Sequence, residues 1–293
     1  MEDLLIKSIC NTIKDPSFIG DDCAVINIKE QELLLCLDNF VENTHFSSTY
    51  FSVSDIGYKS LAVNFSDIAA MSGEALYVLV GLSLNKNIVN KEQWVKEFYQ
   101  GMQECIDEHS QAKIIGGDLS AQNSFTTVSV TVIGQAQKAI KRKLDNINPN
   151  KEYQVCVTGK FGNSKNFLDN PNKAFAQDKQ YHLRPIPRFK EASQVKFGAM
   201  MDTSDGLAAS LLQLADLNQG LIEIESALIP KDEHISLDQA LYGGEDYELV
   251  GIFSDCPKNF KKIGVFTQKD NKQAVYDNTN KIQIDKSLEF QHF

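Results

Sequence analysis

Apolar positions along the chain switch between two periods, one near 2 and one near 3.6 residues. Leu33-Leu34-Leu35-Cys36-Leu37 is a short unbroken apolar run that stops at Asp38, as a buried strand would. Ser52-Val53-Ser54-Asp55 is a capping-box pattern, and Tyr58, Leu61, Ala62, Phe65, Ile68 and Ala69 follow it at helical spacing. At about 100° per residue, Asp67 falls nearly opposite the centre of that stripe and faces either water or a cleft. Residues 75–84 read as a strand, 93–106 as a helix, and Lys113-Ile114-Ile115 as a second short run ending at Gly116-Gly117-Asp118. Residues 126–133 alternate through Val128, Val130 and Val132, as a half-buried strand should.

The segment 135–151 is polar and weakly periodic, which places a domain boundary there: residues 1–137 as an N-terminal domain and 138–293 as a C-terminal one. Tyr153-Gln154-Val155-Cys156-Val157 resumes the pattern with a strand. A polar stretch at 169–180 leads to His182-Leu183-Arg184-Pro185-Ile186-Pro187-Arg188, where two prolines exclude helix. Gly198-Ala199-Met200-Met201 is a third apolar run ending in an acid, Asp202, and Ser204-Asp205-Gly206 opens a helix striped by Leu207, Leu211, Leu212, Leu214 and Ala215. Alternating elements of this kind give an α/β fold class. Two domains suit 293 residues.

Lys and Arg total 29 against 39 Asp and Glu, a net charge of −10, which repels nucleic acid and leaves no basic stripe for it. The longest apolar stretch, 75–84, is about half of what a helix needs to cross a bilayer, so no membrane span is expected. Acids at Glu2 and Asp3 do not suit a secretory signal. Six widely spaced cysteines form no C-x-x-C pair, which fits a reduced, cytoplasmic chain rather than a disulfide or zinc framework.

The familiar phosphate-loop, dinucleotide, zincin, hydrolase and protein-kinase motifs are absent. Gly159-Lys160-Phe161-Gly162 follows a strand, but its lysine and spacing do not match a phosphate loop. What recurs is an acid at the end of an apolar run or beside glycine: Asp21-Asp22, Asp38, Asp67, Asp118, Asp202 with Asp205, and Glu245-Asp246. Each alone is an ordinary turn or cap residue. Delivered together to strand ends, they would converge on one crevice, where packed carboxylates stay ionised only beside hard cations such as Mg²⁺.

Several segments resemble the thiamine-monophosphate kinase family in order and content. They are Ile19-Gly20-Asp21-Asp22-Cys23-Ala24, Asp38-Asn39-Phe40 on to His45-Phe46, Ala62-Val63-Asn64-Phe65-Ser66-Asp67, Ile115-Gly116-Gly117-Asp118, His182 to Arg188, Met201-Asp202-Thr203-Ser204-Asp205-Gly206 and Gly243-Gly244-Glu245-Asp246-Tyr247-Glu248. The wider superfamily is that of aminoimidazole ribonucleotide synthetase. The resemblance implies two α/β domains, the first binding ATP and metal and forming a dimeric, β-barrel-like interface. It implies ATP-dependent phosphorylation of thiamine monophosphate to the diphosphate by a homodimer with several Mg²⁺ ions. It further implies Asp22, Asp38, Asp67, Asp118, Asp202 and Asp205 as metal ligands, with no catalytic residue beyond them. Gly117, Asp118, Arg142 and Ser204 would contact ATP, and His45, Glu245 and Phe290 the substrate. Two departures stand out: Cys36 and Leu37 replace the family's small hydroxyl residues before Asp38, and the segment after Arg142 lacks the usual Ser-Gly-Ala. Another ATP-dependent synthetase of the superfamily, or a silent nucleotide- or metal-binding relative, are the alternatives.

Overall fold

The computed structural model describes residues 2–268 and 274–284. In chain order the first half contains α1 (Glu2–Thr12), β1 (Ala24–Ile28), β2 (Gln31–Val41), α2 (Val53–Ala70), β3 (Glu74–Asn85), α3 (Lys91–His109), β4 (Lys113–Gln122) and β5 (Thr127–Ala136). The second half contains β6 (Tyr153–Val157), α4 (Asn163–Asp169), α5 (Ala176–Leu183), α6 (Phe189–Ala192), β7 (Ala199–Asp202), α7 (Leu207–Leu217), β8 (Leu221–Ile224), α8 (Leu237–Tyr242), β9 (Leu249–Phe253), β10 (Lys261–Thr267), β11 (Ala274–Asp277) and β12 (Ile282–Ile284).

Two sheets result. The first has the order β1-β2-β5-β3-β4, antiparallel except for the parallel pair β3/β4. It is open, with β1 and β4 at its edges. The second has the order β12-β11-β8-β10-β6-β9-β7, with β8/β11 its parallel pair. Residues 137–152 carry no helix or strand, yet they are tied to both halves: Ile140 N donates to Met71 O, and Met200 N donates to Lys141 O.

Helix α2 starts where the capping box predicts, with Ser52 and Asp55 each bonding the other's backbone N–H. It packs on β2, β5 and α3 on one side and on β7, α5 and α6 on the other. That position between the halves explains why even its polar Lys59, Ser60, Asn64 and Ser66 are buried. Gly57 permits the close approach of α3, because a Cβ there would lie 1.9 Å from Phe98 O.

Two strands outrun the acids expected to end them. Strand β2 continues through Asp38, which pairs with Val130 of β5, and β4 continues through Gly116, Gly117 and Asp118, with Asp118 opposite Gly81 of β3. The ladder hydrogen bonds of the neighbouring strands outweigh the local turn preference of the acid. Leu33-Leu37 is also not buried on both faces: Leu34 and Cys36 point into the core, while Leu37 is 57% exposed. Tyr77 and Leu79 on β3 and Ile115 and Leu119 on β4 share that exposure, with β5 lying between them and β2. The polar stretch at 169–180 contains most of α5, held by buried Asp178, whose carboxylate accepts from Asn163 and Asn166.

Candidate active site

Three acids from three elements meet. Asp22 lies in the turn before β1, Asp67 in the last turn of α2 and Asp202 at the end of β7. One carboxylate oxygen from each lies within 4.8 Å of the others. The Asp22 side chain is wholly buried, as is nearly all of Asp202. Burial first, then the neighbouring carboxylates, pushes Asp202 up to about 7 and Asp67 well above the usual carboxylate range. Asp38 rises to about 6 from burial and from the charges of Asp205 and Asp22, so these two acids border the same cluster. Ser66 Oγ donates to Asp202 Oδ2 at 2.8 Å.

Among the described residues, Arg142 is the guanidinium paired to the three acids. Its Nη2 and Nε donate to the two oxygens of Asp22 at 2.8 and 3.3 Å, and its Nη1 to Gln213 at 3.1 Å. Its own N–H donates to Asp21 Oδ1 at 2.9 Å, and Asn218 donates to its carbonyl at 3.0 Å. One cation does not balance the converging carboxylates. An all-oxygen donor set of this kind fits hard divalent ions such as Mg²⁺.

The loop after α8 brings a second group alongside. Glu245 has a φ of 65°, and its N–H donates to Ser204 O at 2.7 Å, which ties it to the turn carrying Asp205. Its carboxylate takes Lys59 Nζ at 3.2 Å, and His182 Nδ1 lies 3.3 Å away. Lys59 is completely buried, and desolvation lowers its pKa while Glu245 holds it up. Burial and the Lys59 charge push His182 down to about 2, so the ring is neutral and its contact with Glu245 is not an ion pair. His182 Nδ1 also lies 3.5 Å from Lys59 Nζ and 2.9 Å from Ser164 Oγ. The loop is anchored further on by Glu248, which pairs with Arg188 and accepts from Thr158 at 2.6 Å.

His45 is not among the three converging acids' elements but sits just beyond β2. Its Nδ1 accepts from Val41 N at 3.1 Å, fixing the ring at the end of β2. Ring contacts run from His45 to Phe40, on to Phe51 and then to His182, so an aromatic chain joins it to the Glu245 group.

Asp118 and Gly117 are exposed on edge strand β4, and the structure does not bring Asp118 into the three-acid cluster. Gly117 is required where it is, since a Cβ would fall 1.9 Å from Val80 O. With Tyr99, Ile114 and Asp118 it lines an open pocket of about 530 Å³. Phe290 lies outside the described residues.

Comparison with known proteins gives this geometry its family. A model for the N-terminal domain of AIR synthase related proteins matches residues 20–136. The thiamine-monophosphate kinase of Bacillus subtilis strain 168 is 36% identical over 257 residues, 81% of this chain and 77% of that protein. That of Buchnera aphidicola from Acyrthosiphon pisum is 33% identical over 319 residues, 98% of this chain and 94% of that one. The chain belongs to the thiamine-monophosphate kinase family. Among solved structures, AaThiL complexed with AMPPCP and TMP matches with a TM-score of 0.86 at 26% identity, covering 100% of this chain and 98% of that one. The hydrogenase maturation protein HypE shares the fold alone, with a TM-score of 0.68 at 14% identity.

In this member of the thiamine-monophosphate kinase family the departures before Asp38 have distinct outcomes. The Cys36 thiol is buried, donates to Asn64 O at 3.5 Å and is held well above its ordinary pKa, while Leu37 points out of the sheet. Neither side chain offers a hard ligand atom, which leaves only the backbone carbonyls there. The changed segment after Arg142 still seats that arginine on Asp22. Sequence reasoning gave no role to Lys59, Ser66 or Tyr99. A lysine inside an apolar helical stripe was the available signal for Lys59. Nothing local marked Tyr99, because the pocket it lines forms only when α3 packs beside β4.

Proposed function

We propose that the chain transfers the terminal phosphoryl group of ATP to the phosphate of thiamine monophosphate, giving thiamine diphosphate. The observation that carries this reading is the convergence of Asp22, Asp67 and Asp202 beside Arg142, in a chain of this family. AaThiL has been solved with AMPPCP and TMP, which supports ATP as co-substrate and thiamine monophosphate as acceptor.

Asp22, Asp67 and Asp202, bordered by Asp38 and Asp205, would hold Mg²⁺ ions, which when bound neutralise phosphate charge and align the transferred group. Arg142 supplies the fixed cation and orients phosphate oxygens. Asp118, with Gly117, belongs to the nucleotide end through the pocket that Tyr99 lines, and Ser204 to the turn between nucleotide and acceptor. Glu245 and His45 bracket the acceptor, with Phe290 as its aromatic stacking partner. No protein base is needed, because an acceptor phosphate is already ionised at neutral pH.

Residues 1–137 form the ATP- and metal-binding, dimerising domain in this reading, and 138–293 the second domain; the family match at 20–136 supports that division. The exposed apolar face of the first sheet supports a homodimer, in which a second copy would continue the sheet toward a barrel. The free cysteines favour the cytoplasm, and no described helix is long and apolar enough to cross a membrane.

The test is ADP release with Mg-ATP, with and without thiamine monophosphate, and chromatographic identification of the product. One thiamine diphosphate per ADP, with no turnover lacking acceptor, is expected. Orthophosphate release with the acceptor left unphosphorylated would favour the synthetase alternative.

A further inference from the structure

A pocket lined by lysines lies apart from the acid cluster. In the segment joining the halves, Arg142 alone turns away from its neighbours. Arg142 points to Asp22, while Lys141 and Lys143 on either side of it line a separate pocket of about 250 Å³. The pocket is closed by the loop before β7 and by the near ends of β6 and β9, and Lys138 and Lys196 also line it. Four lysines therefore face one small concavity in a chain whose acids outnumber its bases by 39 to 29. The pocket holds a single acid, Asp145, and it is taken by Lys138 at 2.5 Å. Lys141, Lys143 and Lys196 make no ion pair among the described residues. None of the acids assigned to the active site lines the pocket.

Uncompensated ammonium groups gathered in a concavity repel one another and raise the local anion concentration. Phe197, which is 80% exposed, also lines the pocket, so its ring is open to a planar group bound beside the lysines. Lysine suits phosphate as a point charge, and a volume of this size admits a diphosphate with its ring left on the rim. We propose that this pocket binds a diphosphate carried on an aromatic ring, without a metal ion, with Lys141, Lys143 and Lys196 on the phosphates and Phe197 on the ring. This contrasts with the acid site, where phosphate needs a cation.

The contrast makes the site testable. Titration calorimetry is run on the full chain in EDTA, with inorganic pyrophosphate, ADP and thiamine diphosphate as probes. All three should bind, with the ring-bearing compounds at least about five-fold tighter; the tighter of the two names the ring. Lys143→Glu/Lys196→Glu should weaken all three at least about ten-fold, and Phe197→Ala should remove the five-fold gain alone. Because these side chains are exposed, thermal unfolding of the variants should match the parent, and Lys196→Glu should keep the parent's turnover with Mg-ATP. Absence of metal-free binding, or equal affinity in the double charge-reversal variant, would overturn the site. Equal affinity for pyrophosphate and for both ring-bearing probes would overturn the role of Phe197.

Discussion

Asp67 shows how the site is set against the fold. Its carboxylate is held above the usual range by burial and by Asp38 and Asp202, so the charged form costs stability that an asparagine of the same size does not. Asp67→Asn should lower kcat/KM at least about 10²-fold, the scale of losing one electrostatic stabiliser, while the melting temperature holds or rises. The pH dependence fixes the sign. A carboxylate whose folded pKa is raised binds more protons folded than unfolded, so its share of stability is lost as pH rises through the folded value, which for the neighbouring Asp202 is about 7. His182, depressed to about 2, acts the other way, losing stability as pH falls below about 6.5. The acid contribution is therefore read as a difference: in EDTA, the gain in melting temperature of Asp67→Asn over wild type should be larger at pH 8 than at pH 5. A gain independent of pH would mean that Asp67 is not part of a strained cluster.

At the scale of the element, α2 is the member on which the site depends, since it carries Lys59 toward Glu245 and Asp67 toward Asp22 and Asp202. Its distance from α3 is set by Gly57. Alanine there would gain up to about 1 kcal/mol of helix propensity, but its Cβ would meet the Phe98 carbonyl at 1.9 Å. The backbone clash wins, and Gly57→Ala should cost about 1–3 kcal/mol in urea unfolding; a stabilised variant would show that the helices can part freely. This helix was fully legible in sequence, from the capping box to the 3.6-residue stripe. So were β6 and β7, and the acid that closes β7. The lengths of β2 and β4 were not, because strand continuation past Asp38 and Asp118 is decided by ladders with β5 and β3 rather than by local residues. For the same reason the sequence suggested that all the acids converge, whereas Asp118 sits on an exposed edge strand. Lys59 escaped notice because what covers it, Glu245, lies 186 residues away.

Across the whole molecule two features remain to be matched: an apolar outer face on the first sheet and a net charge of −10. Leu37, Tyr77, Leu79, Ile115 and Leu119 are each at least 36% exposed on the first sheet, and a second copy of the chain is the proposed cover. Leu119→Glu should shift the mass found by analytical ultracentrifugation from dimer to monomer, and an unchanged mass would place the interface elsewhere. The charge bears on the central claim. An ATP tetra-anion approaching Asp22, Asp67 and Asp202 meets net repulsion that Arg142 alone does not cancel, so nucleotide should enter this site only with divalent metal. The decisive measurement is calorimetric titration of a non-hydrolysable ATP analogue into Lys143→Glu/Lys196→Glu protein, in which the separate lysine pocket is disabled, with Mg²⁺ and with EDTA. Saturable binding with Mg²⁺ and none in EDTA is predicted; equal affinity in the two would contradict the metal-holding role of the acids.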